Sequence, residues 1–417
     1  MLKICIVTHS YPRFAGDYRS NFIESLAHAY ARAGTAVTVF TPYTPLFDRP
    51  TAEVRGVRIV TYRYAPFAAW HTIGYGHSMI GDLEMHPVDL LLAPFLVLFG
   101  TLRLASLLRR EQFDLLHAHW AVPNSLMALW ARALAGARAR VFTAFPGSDV
   151  AVITRLGWLG KQLVKIIGRS DYLSCDGPDL AEDVIRAGLD PARIEFVIYG
   201  VDEKEIHFSA DERLKLRRQL EITDDEIVLL MIGRFVAKKG FSTGFEALKY
   251  IVPDRPRIRM IVVGDGPLQS QYRDLLRRDG TAALVHFVGV IPTQELYKYY
   301  SACDIFLMPS RRLPSHGLNV VVPEAMACGR PIVASRVGGN TIVVHPGVNG
   351  YLHDEGDAEG LARFVLELAA NPALREKMGQ ESLRLIREHY NWDAIAQTYL
   401  QMLEQLEPSV QRAPKAA

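Results

Sequence analysis

The chain alternates short runs of apolar residues with longer segments in which apolar positions recur every three or four residues. The short runs predict buried strands and the longer segments predict amphipathic helices, an alternation typical of a parallel sheet covered by helices. The strands predicted in the first half are Ile4–Val7, Ala36–Phe40, Val57–Tyr62, Leu115–His119, Ala139–Thr143, Tyr172–Ser174 and Ile194–Ile198. The helices predicted between them are Asn21–Ala33, Leu91–Arg110, Ser125–Ala135 and Leu159–Ile167.

The same alternation starts afresh in the second half of the chain. Its predicted strands are Ile227–Ile232, Arg259–Val263, Val285–Val288, Ile305–Met308 and Ile332–Ser335. Its predicted helices are Thr243–Tyr250, Leu268–Asp279, Thr293–Ser301, Val321–Cys328, Asp357–Ala370, Pro372–His389 and Trp392–Leu406. We therefore predict an α/β protein of two doubly wound halves, connected near Tyr199–Ser209. Ligands of such sheets bind beyond the carboxyl ends of the strands, so we expect the chemistry in a cleft between the two carboxyl edges.

Length and composition agree with a two-domain globular protein. The 417 residues correspond to about two domains of 100–200 residues each. Lys and Arg total 47 against 45 Asp and Glu, and a net charge of +2 gives no electrostatic reason to expect nucleic acid as a partner. The four cysteines lie far apart without metal-ligand spacing, which predicts reduced thiols in a cytoplasmic protein.

The longest apolar stretch lies within residues 88–110. Asp89, Pro94, Gly100 and Arg103 interrupt it, so it falls short of an uninterrupted membrane-spanning segment of about 18 apolar residues. Two interpretations stay open. The segment is either a core helix under the sheet or a helix that contacts the membrane surface, where its arginines would meet anionic lipid. We do not expect the short apolar start of the chain to act as a signal peptide, because it lasts only a few residues and has no cleavage site of small residues.

Two loops of the second half carry candidate phosphate ligands. Residues 233–240 follow a predicted strand and contain Arg234, Lys238 and Lys239, which suit a diphosphate, although a solvated basic loop is an equal alternative. Gly264-Asp265-Gly266-Pro267 follows the next strand. A simple strand-to-helix turn explains that motif better than a ligand site does.

Residues 315–329 form the most informative stretch. A loop that contains Gly317 runs into a helix after the strand Ile305–Met308, and the free N–H groups of a helix start can bind phosphate. Glu324 lies among apolar residues of that helix, where a carboxylate needs partners such as ribose hydroxyls. A surface helix with a solvated Glu324 is the alternative.

The first half offers histidines and a loop with glycine. His117 and His119 end a strand, and their i, i+2 spacing places both imidazoles on one face of the sheet. A zinc site would need further ligands that are not evident nearby, so acceptor-side or core histidines are favoured over metal ligands. The loop from Thr8 to Asp17 lacks a G-x-G-x-x-G pattern but contains Gly16, where backbone can approach a ligand.

Taken in order, these motifs resemble the retaining glycosyltransferases of the group one family, which have two facing Rossmann-like domains known as the GT-B fold. The resemblance runs from Lys3 to about Leu406. Its motifs are residues 14–17, 117–120, 147–149, 200–202, 233–240, 264–267, 324–327 and 338–339. It implies an acceptor-side domain of residues 1–204 joined by the returning helix 391–410, and a donor domain of residues 205–390.

The resemblance also implies roles for particular residues. The donor, a UDP- or GDP-linked sugar, would be bound by Gly16, Arg234, Lys239, Gly266, Gly317, Leu318, Asn319, Val320 and Glu324. Arg234 and Lys239 would hold the diphosphate, Glu324 the ribose. No metal or other cofactor is expected, since these cations stabilise the leaving diphosphate. The acceptor would be a glycan or a lipid-linked glycan, its hydroxyl attacking on the face from which the diphosphate leaves.

The candidate catalytic residues are His316, Asp149 and His119. The chain departs from the family pattern at two places, one of which is His316 itself. The family has a Glu where this chain has His316, and it has a His just before Gly147, where this chain has Phe145 and Pro146. An imidazolium at His316 would strengthen donor binding as the pH falls. The departures leave a catalytically lapsed, nucleotide-sugar-binding homologue as an alternative to an active transferase. A nucleotide-sugar epimerase fits the motif order less well.

Overall fold

The structure, a computed structural model, describes residues 1–14, 17, 20–47, 53–54, 56–74, 79–80, 84–85, 87–255, 257–313 and 317–406. The chain divides into two compact units. Unit 1 consists of Met1–Cys175, Asp183–Val197 and Trp392–Ala417, and unit 2 of Asp176–Glu182 and Ile198–Asn391.

Unit 1 is built on an eight-stranded sheet. Its strands are β1 (Lys3–Val7), β2 (Ala36–Pro42), β3 (Glu53–Val54), β4 (Val57–Tyr62), β7 (Leu115–His119), β8 (Arg140–Phe145), β9 (Tyr172–Cys175) and β10 (Ile194–Phe196), while β5 (Met79–Ile80) and β6 (Glu84–Met85) form a separate antiparallel pair. The strand order is β10-β9-β8-β7-β1-β2-β4-β3, parallel except for β3 at the edge. Its helices are α1 (Asn21–Arg32), α2 (Pro87–Arg110), α3 (Leu126–Ala135), α4 (Ser148–Arg155), α5 (Trp158–Ile167) and the C-terminal α15 (Trp392–Leu406), and α6 (Pro178–Arg186) crosses the boundary between the units.

The C-terminal helix α15 is tied to unit 1 by polar contacts. Asp393 at its start accepts from Arg32 of α1, with Nη2 and Oδ1 2.6 Å apart. Further along, the Tyr399 hydroxyl lies 3.2 Å from Ser174 Oγ, and the Tyr399 ring packs against His117. The last helix therefore packs on the sheet that begins the chain.

Unit 2 is built on a six-stranded parallel sheet in the order β13-β12-β11-β14-β15-β16. Its strands are β11 (Ile227–Ile232), β12 (Ile258–Val263), β13 (Val285–Gly289), β14 (Ile305–Met308), β15 (Ile332–Ser335) and β16 (Gly350–His353). Its helices are α7 (Ala210–Gln219), α8 (Phe241–Ile251), α9 (Gln269–Arg278), α10 (Leu296–Ala302), α11 (Val321–Ala327), α12 (Asn340–Val343), α13 (Ala358–Ala370) and α14 (Pro372–Leu385). The central strands are buried on both faces, which explains why they read as continuous apolar runs.

A buried ion-pair cluster fixes α7 to the amino end of β14. Both carboxylate oxygens of Asp304 accept from arginines of α7, Oδ1 from Arg213 and Oδ2 from Arg217, each at 2.6 Å. Asp304 Oδ2 also accepts from the backbone N–H of Val228 at the start of the sheet. These charges lower the pKa of Asp304 in spite of its burial.

The structure confirms the two parallel sheets and corrects several predicted elements. β8 extends to Phe145, so this residue lies at the buried end of a strand. α2 begins at Pro87 rather than at Leu91. Four helices were not predicted, namely α4, α6, α7 and α12. Each of them has ten residues or fewer, which is short for recognising an apolar periodicity along the chain.

Candidate functional site

The loops at the carboxyl edge of the unit 2 sheet pack closely because glycines allow it. Gly240 has a φ of +65°, and a Cβ at this position would collide with the carbonyl oxygen of Pro309, which follows β14. A Cβ on Gly266 would lie 2.7 Å from the backbone nitrogen of Phe235 in the loop after β11. Gly266 thus brings the loops after β11 and β12 together. Its predicted contact with a donor stays a prediction.

Lys239 lies at the centre of this edge. Its Nζ donates to Asn319 Oδ1 at 2.5 Å, so the basic loop after β11 meets the loop that precedes α11. Asn319 is 2% exposed, and its Nδ2 donates to Ser310 Oγ at 2.9 Å and to Asn340 Oδ1 at 3.2 Å. Asn340 in turn donates to main-chain carbonyls at the ends of β14 and β15. The network fixes which atom of the Asn319 side chain faces Lys239.

Hydrogen-bond donors are available next to this lysine. Among the described residues, the backbone N–H groups of Leu318, Asn319 and Val320 have no recorded acceptor. Gly317 begins the same loop, and Arg234 of the basic loop is exposed. Uncommitted N–H groups beside a cation suit an anionic ligand such as a phosphate.

Glu324 lies inside α11, as predicted, and has a partner that the sequence did not indicate. The Tyr300 hydroxyl of α10 donates to Glu324 Oε2 at 2.6 Å. Burial raises the pKa of Glu324 to about 7, although the Tyr300 bond acts in the opposite direction. The carboxylate is therefore held in a place where further hydroxyl donors would stabilise its charged form.

In unit 1, His117 and His119 lie on one face of the sheet, as their spacing predicted. Their ring centroids are 4.3 Å apart, and the Tyr30 hydroxyl lies 2.9 Å from His117 Nδ1. His119 is 1% exposed, and neither of its ring nitrogens has a partner among the described residues. Burial lowers the pKa of His119 to about 3, so the ring is neutral at physiological pH.

Asp149 holds two loops together at the carboxyl edge of the unit 1 sheet. Its Oδ2 accepts from the N–H of Ala121 at 2.6 Å, and its Oδ1 accepts from the N–H of Gly147 at 3.1 Å. Burial raises the pKa of Asp149 to about 6 despite these bonds. This geometry connects the loop after β7 with the start of α4, and the predicted catalytic role of Asp149 stays a prediction.

Two residues near His119 were missed by the sequence analysis. Asn124 Nδ2 donates to the carbonyl oxygen of His119 at 2.5 Å and lies 2.9 Å from His9 Nδ1. The His9 ring packs on Trp120, with centroids 4.6 Å apart, and burial lowers the pKa of His9 to about 4. Position along the chain was the available signal, since His9 lies two residues after the end of β1 and Asn124 five residues after the end of β7.

Two predicted site residues, Gly16 and His316, lie outside the described residues. Next to Gly16 along the chain, Arg13 and Asp17 form a buried ion pair with Nε and Oδ2 2.6 Å apart. Across the part of the chain that the structure describes, no group of three or more His, Cys, Asp or Glu side chains could hold a metal ion.

Two Rossmann-like units in one chain, one of them with a cation and uncommitted N–H groups at the carboxyl edge of its sheet, are typical of GT-B proteins. A family model described as "Glycosyl transferases group 1" matches residues 212–384, and one described as "Glycosyl transferase 4-like domain" matches residues 20–200. The chain belongs to the group 1 glycosyltransferases. Its relatives are named as glycosyltransferases, which supports an active transferase over a lapsed homologue.

Individual relatives cover most of the chain. It is 28% identical to N-acetyl-alpha-D-glucosaminyl L-malate synthase of Bacillus anthracis, over 75% of this chain and 78% of the relative. It is 26% identical to a GDP-mannose-dependent alpha-(1-6)-phosphatidylinositol monomannoside mannosyltransferase of Mycobacterium tuberculosis, over 95% of this chain and 96% of the relative. The solved structure of Anabaena HepE in complex with UDP and glucose has 18% identity and a TM-score of 0.69, over 97% of this chain and 100% of that one.

Proposed function

We propose that the protein is a retaining, metal-independent glycosyltransferase that moves a sugar from a UDP- or GDP-linked donor to a glycan or lipid-linked acceptor. One observation carries the proposal. Lys239 and the N–H groups of residues 318–320 meet at the carboxyl edge of one parallel sheet, and Glu324 lies one helical turn beyond Val320 in the helix that follows. This is where open α/β sheets bind nucleotides.

Each part of this edge has a task in the proposed reaction. Arg234 and Lys239 would neutralise the donor diphosphate, and the free N–H groups of residues 318–320 would add directed hydrogen bonds. Glu324 would accept from ribose hydroxyls. Positive charge is already in place for the leaving diphosphate. As the bond from the anomeric carbon to the diphosphate breaks, the diphosphate oxygen can take the proton of the attacking acceptor hydroxyl. Attack and departure on the same face of the sugar preserve the anomeric configuration.

A panel of UDP, GDP, ADP and their sugars tests donor binding by thermal shift. A ligand at a hundredfold excess over its dissociation constant should stabilise the protein by about 2.7 kcal/mol. No shift with any nucleotide would contradict the donor site. Turnover of the stabilising donor is then followed with and without a chelator. Loss of activity that Mg²⁺ restores would exclude metal independence, and inversion at the anomeric carbon would exclude the retaining mechanism.

We further propose that unit 1 works at the cytoplasmic face of a membrane, through one face of α2. The helix from Leu91 to Arg110 is long and apolar enough to cross a membrane, with a mean hydropathy of 2.0, but its inner side belongs to the core of unit 1. The outer side is apolar as well. Its exposed residues are Val88, Leu91, Phe95, Leu98, Phe99 and Leu102, spaced as a single helical stripe.

Charge next to the stripe favours an anionic lipid surface as the occupant. Arg103, Arg109 and Arg110 are exposed in the C-terminal turns of α2. Arg109 Nη2 donates to the carbonyl oxygen of Leu134 in α3, so α3 lies beside the stripe. Exposed Trp130 of α3 adds apolar surface with a polar N–H. An apolar stripe flanked by arginines is typical of a helix that lies in the membrane interface. The relative that acts on a phosphatidylinositol mannoside supports a lipid-linked acceptor.

Co-sedimentation with anionic liposomes at low salt tests the surface. Leu98→Glu should release the protein from the vesicles, because it places a charge in the middle of the stripe. Leu214→Glu is the matched control, since Leu214 is a helical leucine of unit 2 with 44% exposure against 51% for Leu98. Recovery of the unmodified protein entirely in the supernatant would contradict the membrane contact.

A further inference from the structure

Glu324 and Tyr300 form a pair that is 24 residues apart in sequence and joined only by the fold. The Tyr300 hydroxyl donates to Glu324 Oε2 at 2.6 Å. Tyr300 is fully buried, and its ring packs on Phe306 of β14 with centroids 5.8 Å apart. The phenol oxygen is therefore held in one position. Among the described residues, the other carboxylate oxygen, Oε1, has no recorded donor.

In this pair Tyr300 keeps its proton, whereas Glu324 can lose its own. Burial, and secondarily the charge of Glu324, raise the pKa of Tyr300 well above its usual value, so the phenol keeps its proton and donates. Burial raises the pKa of Glu324 to about 7, and the Tyr300 bond lowers it. Without the phenol, the carboxylate would be still harder to ionise.

The surrounding titratable groups do not compete with this pair. Cys303, which follows α10, and Cys328, which follows α11, are the other groups that act on Tyr300. Burial raises the pKa of Cys303 to about 12 and that of Cys328 well above its usual value, so both remain neutral thiols. Among the described residues, only burial and Tyr300 shift the pKa of Glu324.

We propose that Tyr300 is a positioning residue for donor binding, whose hydroxyl holds Oε2 of Glu324 and leaves Oε1 to accept from the ribose. This inference rests on the proposed donor site. It extends that site by a residue that does not touch the donor and acts only through Glu324. A phenol in this role is distinguishable from a merely structural one, because its removal changes the pH at which the donor binds.

Tyr300→Phe removes only the hydroxyl, and calorimetric titration with UDP and GDP from pH 6 to 9 measures its effect. The affinity of the unmodified protein should rise as the pH passes through about 7, where Glu324 ionises. In the variant this midpoint should lie about one pH unit higher, because one hydrogen bond to the charged form is lost. At pH 7 the ionised fraction then falls from about one half to about one tenth, so binding weakens about fivefold, and the difference vanishes near pH 9.

Tyr351→Phe is the matched control. The Tyr351 hydroxyl donates to Glu367 Oε1 at 2.5 Å on the surface of the same unit, so this variant also breaks a Tyr–Glu bond, and it should leave both affinity and midpoint unchanged. In Glu324→Gln the rise of nucleotide affinity as the pH passes through about 7 should disappear. A charged His316 would give the opposite slope, and that slope would survive in Glu324→Gln.

Four results would overturn the inference. If the pH midpoint of nucleotide binding is unchanged in Tyr300→Phe, Tyr300 does not contribute to donor binding. If nucleotide binding weakens equally at every pH, the role of Tyr300 is only structural. Selective ¹³C labelling of glutamate allows the titration of Glu324 to be followed by NMR without ligand. An unshifted Glu324 titration in Tyr300→Phe would likewise show that Tyr300 does not act on Glu324. Failure of the unmodified protein to bind any nucleotide would overturn the donor site itself, and the inference with it.

Discussion

Replacing Lys239 by methionine removes the positive charge at the centre of the unit 2 edge while keeping a long side chain. The Nζ atom of Lys239 lies 2.5 Å from Asn319 Oδ1, and Asn319 is anchored by Ser310 and Asn340. The ammonium is thus directed to one place before any ligand arrives. A preorganised cation loses little freedom on binding, so its full contact with a diphosphate should appear in the affinity.

The expected loss follows from the type of contact. A hydrogen bond between a cation and an anion contributes about 1.5–3 kcal/mol, which corresponds to a dissociation constant about 10- to 150-fold higher. Stability should fall much less. Asn319 Oδ1 loses its donor, at about 1 kcal/mol, but the Nδ2 bonds to Ser310 and Asn340 remain.

Calorimetric titration with UDP and GDP measures the first quantity, and urea unfolding the second. Lys238→Met is the matched control, because it removes the same charge from the neighbouring position. We expect it to weaken binding less than about fivefold, as for a screened surface charge. Equal losses in the two variants would show that the loop attracts anions only by its overall charge. No loss in Lys239→Met would exclude Lys239 from the site.

Three further predictions concern stability. Asp304→Asn should destabilise unit 2 by about 3–5 kcal/mol in urea unfolding, because it leaves two arginines with a neutral partner. Gly280 has a φ of +70° with open space around it, so Gly280→Ala should lower the free energy of unfolding by about 1–2 kcal/mol. Gly240 has a φ of +65°, and Gly240→Ala should lower the free energy of unfolding clearly more, because the added Cβ meets the Pro309 carbonyl. Equal losses in the two variants would contradict the close approach of Gly240 to Pro309. The pKa of His119 is lowered from 6.5 to about 3, so the unfolded chain binds the extra proton as the pH falls below 6.5, and stability should decrease by up to about 1.4 kcal/mol per pH unit. His119→Gln should reduce this slope in unfolding measured at pH 7 and pH 5, and an unchanged slope would show that His119 is protonated in the fold.

The strands could be predicted because burial on both faces requires continuous apolar runs. Ile227–Ile232 and Ile305–Met308 match the observed strands residue for residue. The helix α7 was missed, since its exposed face and its arginines hide any apolar period. Its start carried a local signal that was not used. Ser209 caps the helix by accepting from the N–H of Glu212, which is a Ser-x-x-Glu pattern.

The sequence by itself determined the two parallel-sheet units and three candidate ligands, namely Arg234 and Lys239 in the loop after one strand and Glu324 in the helix that follows the loop after another. These follow from local order, because each loop comes directly after a strand whose carboxyl end must lie at the binding edge. The partners that give these residues their properties were decided by tertiary structure. Tyr300 reaches Glu324 from another helix, and Asn319 meets Lys239 across 80 residues of chain. Such pairs depend on which helices and loops pack together, and no spacing along the chain encodes that packing.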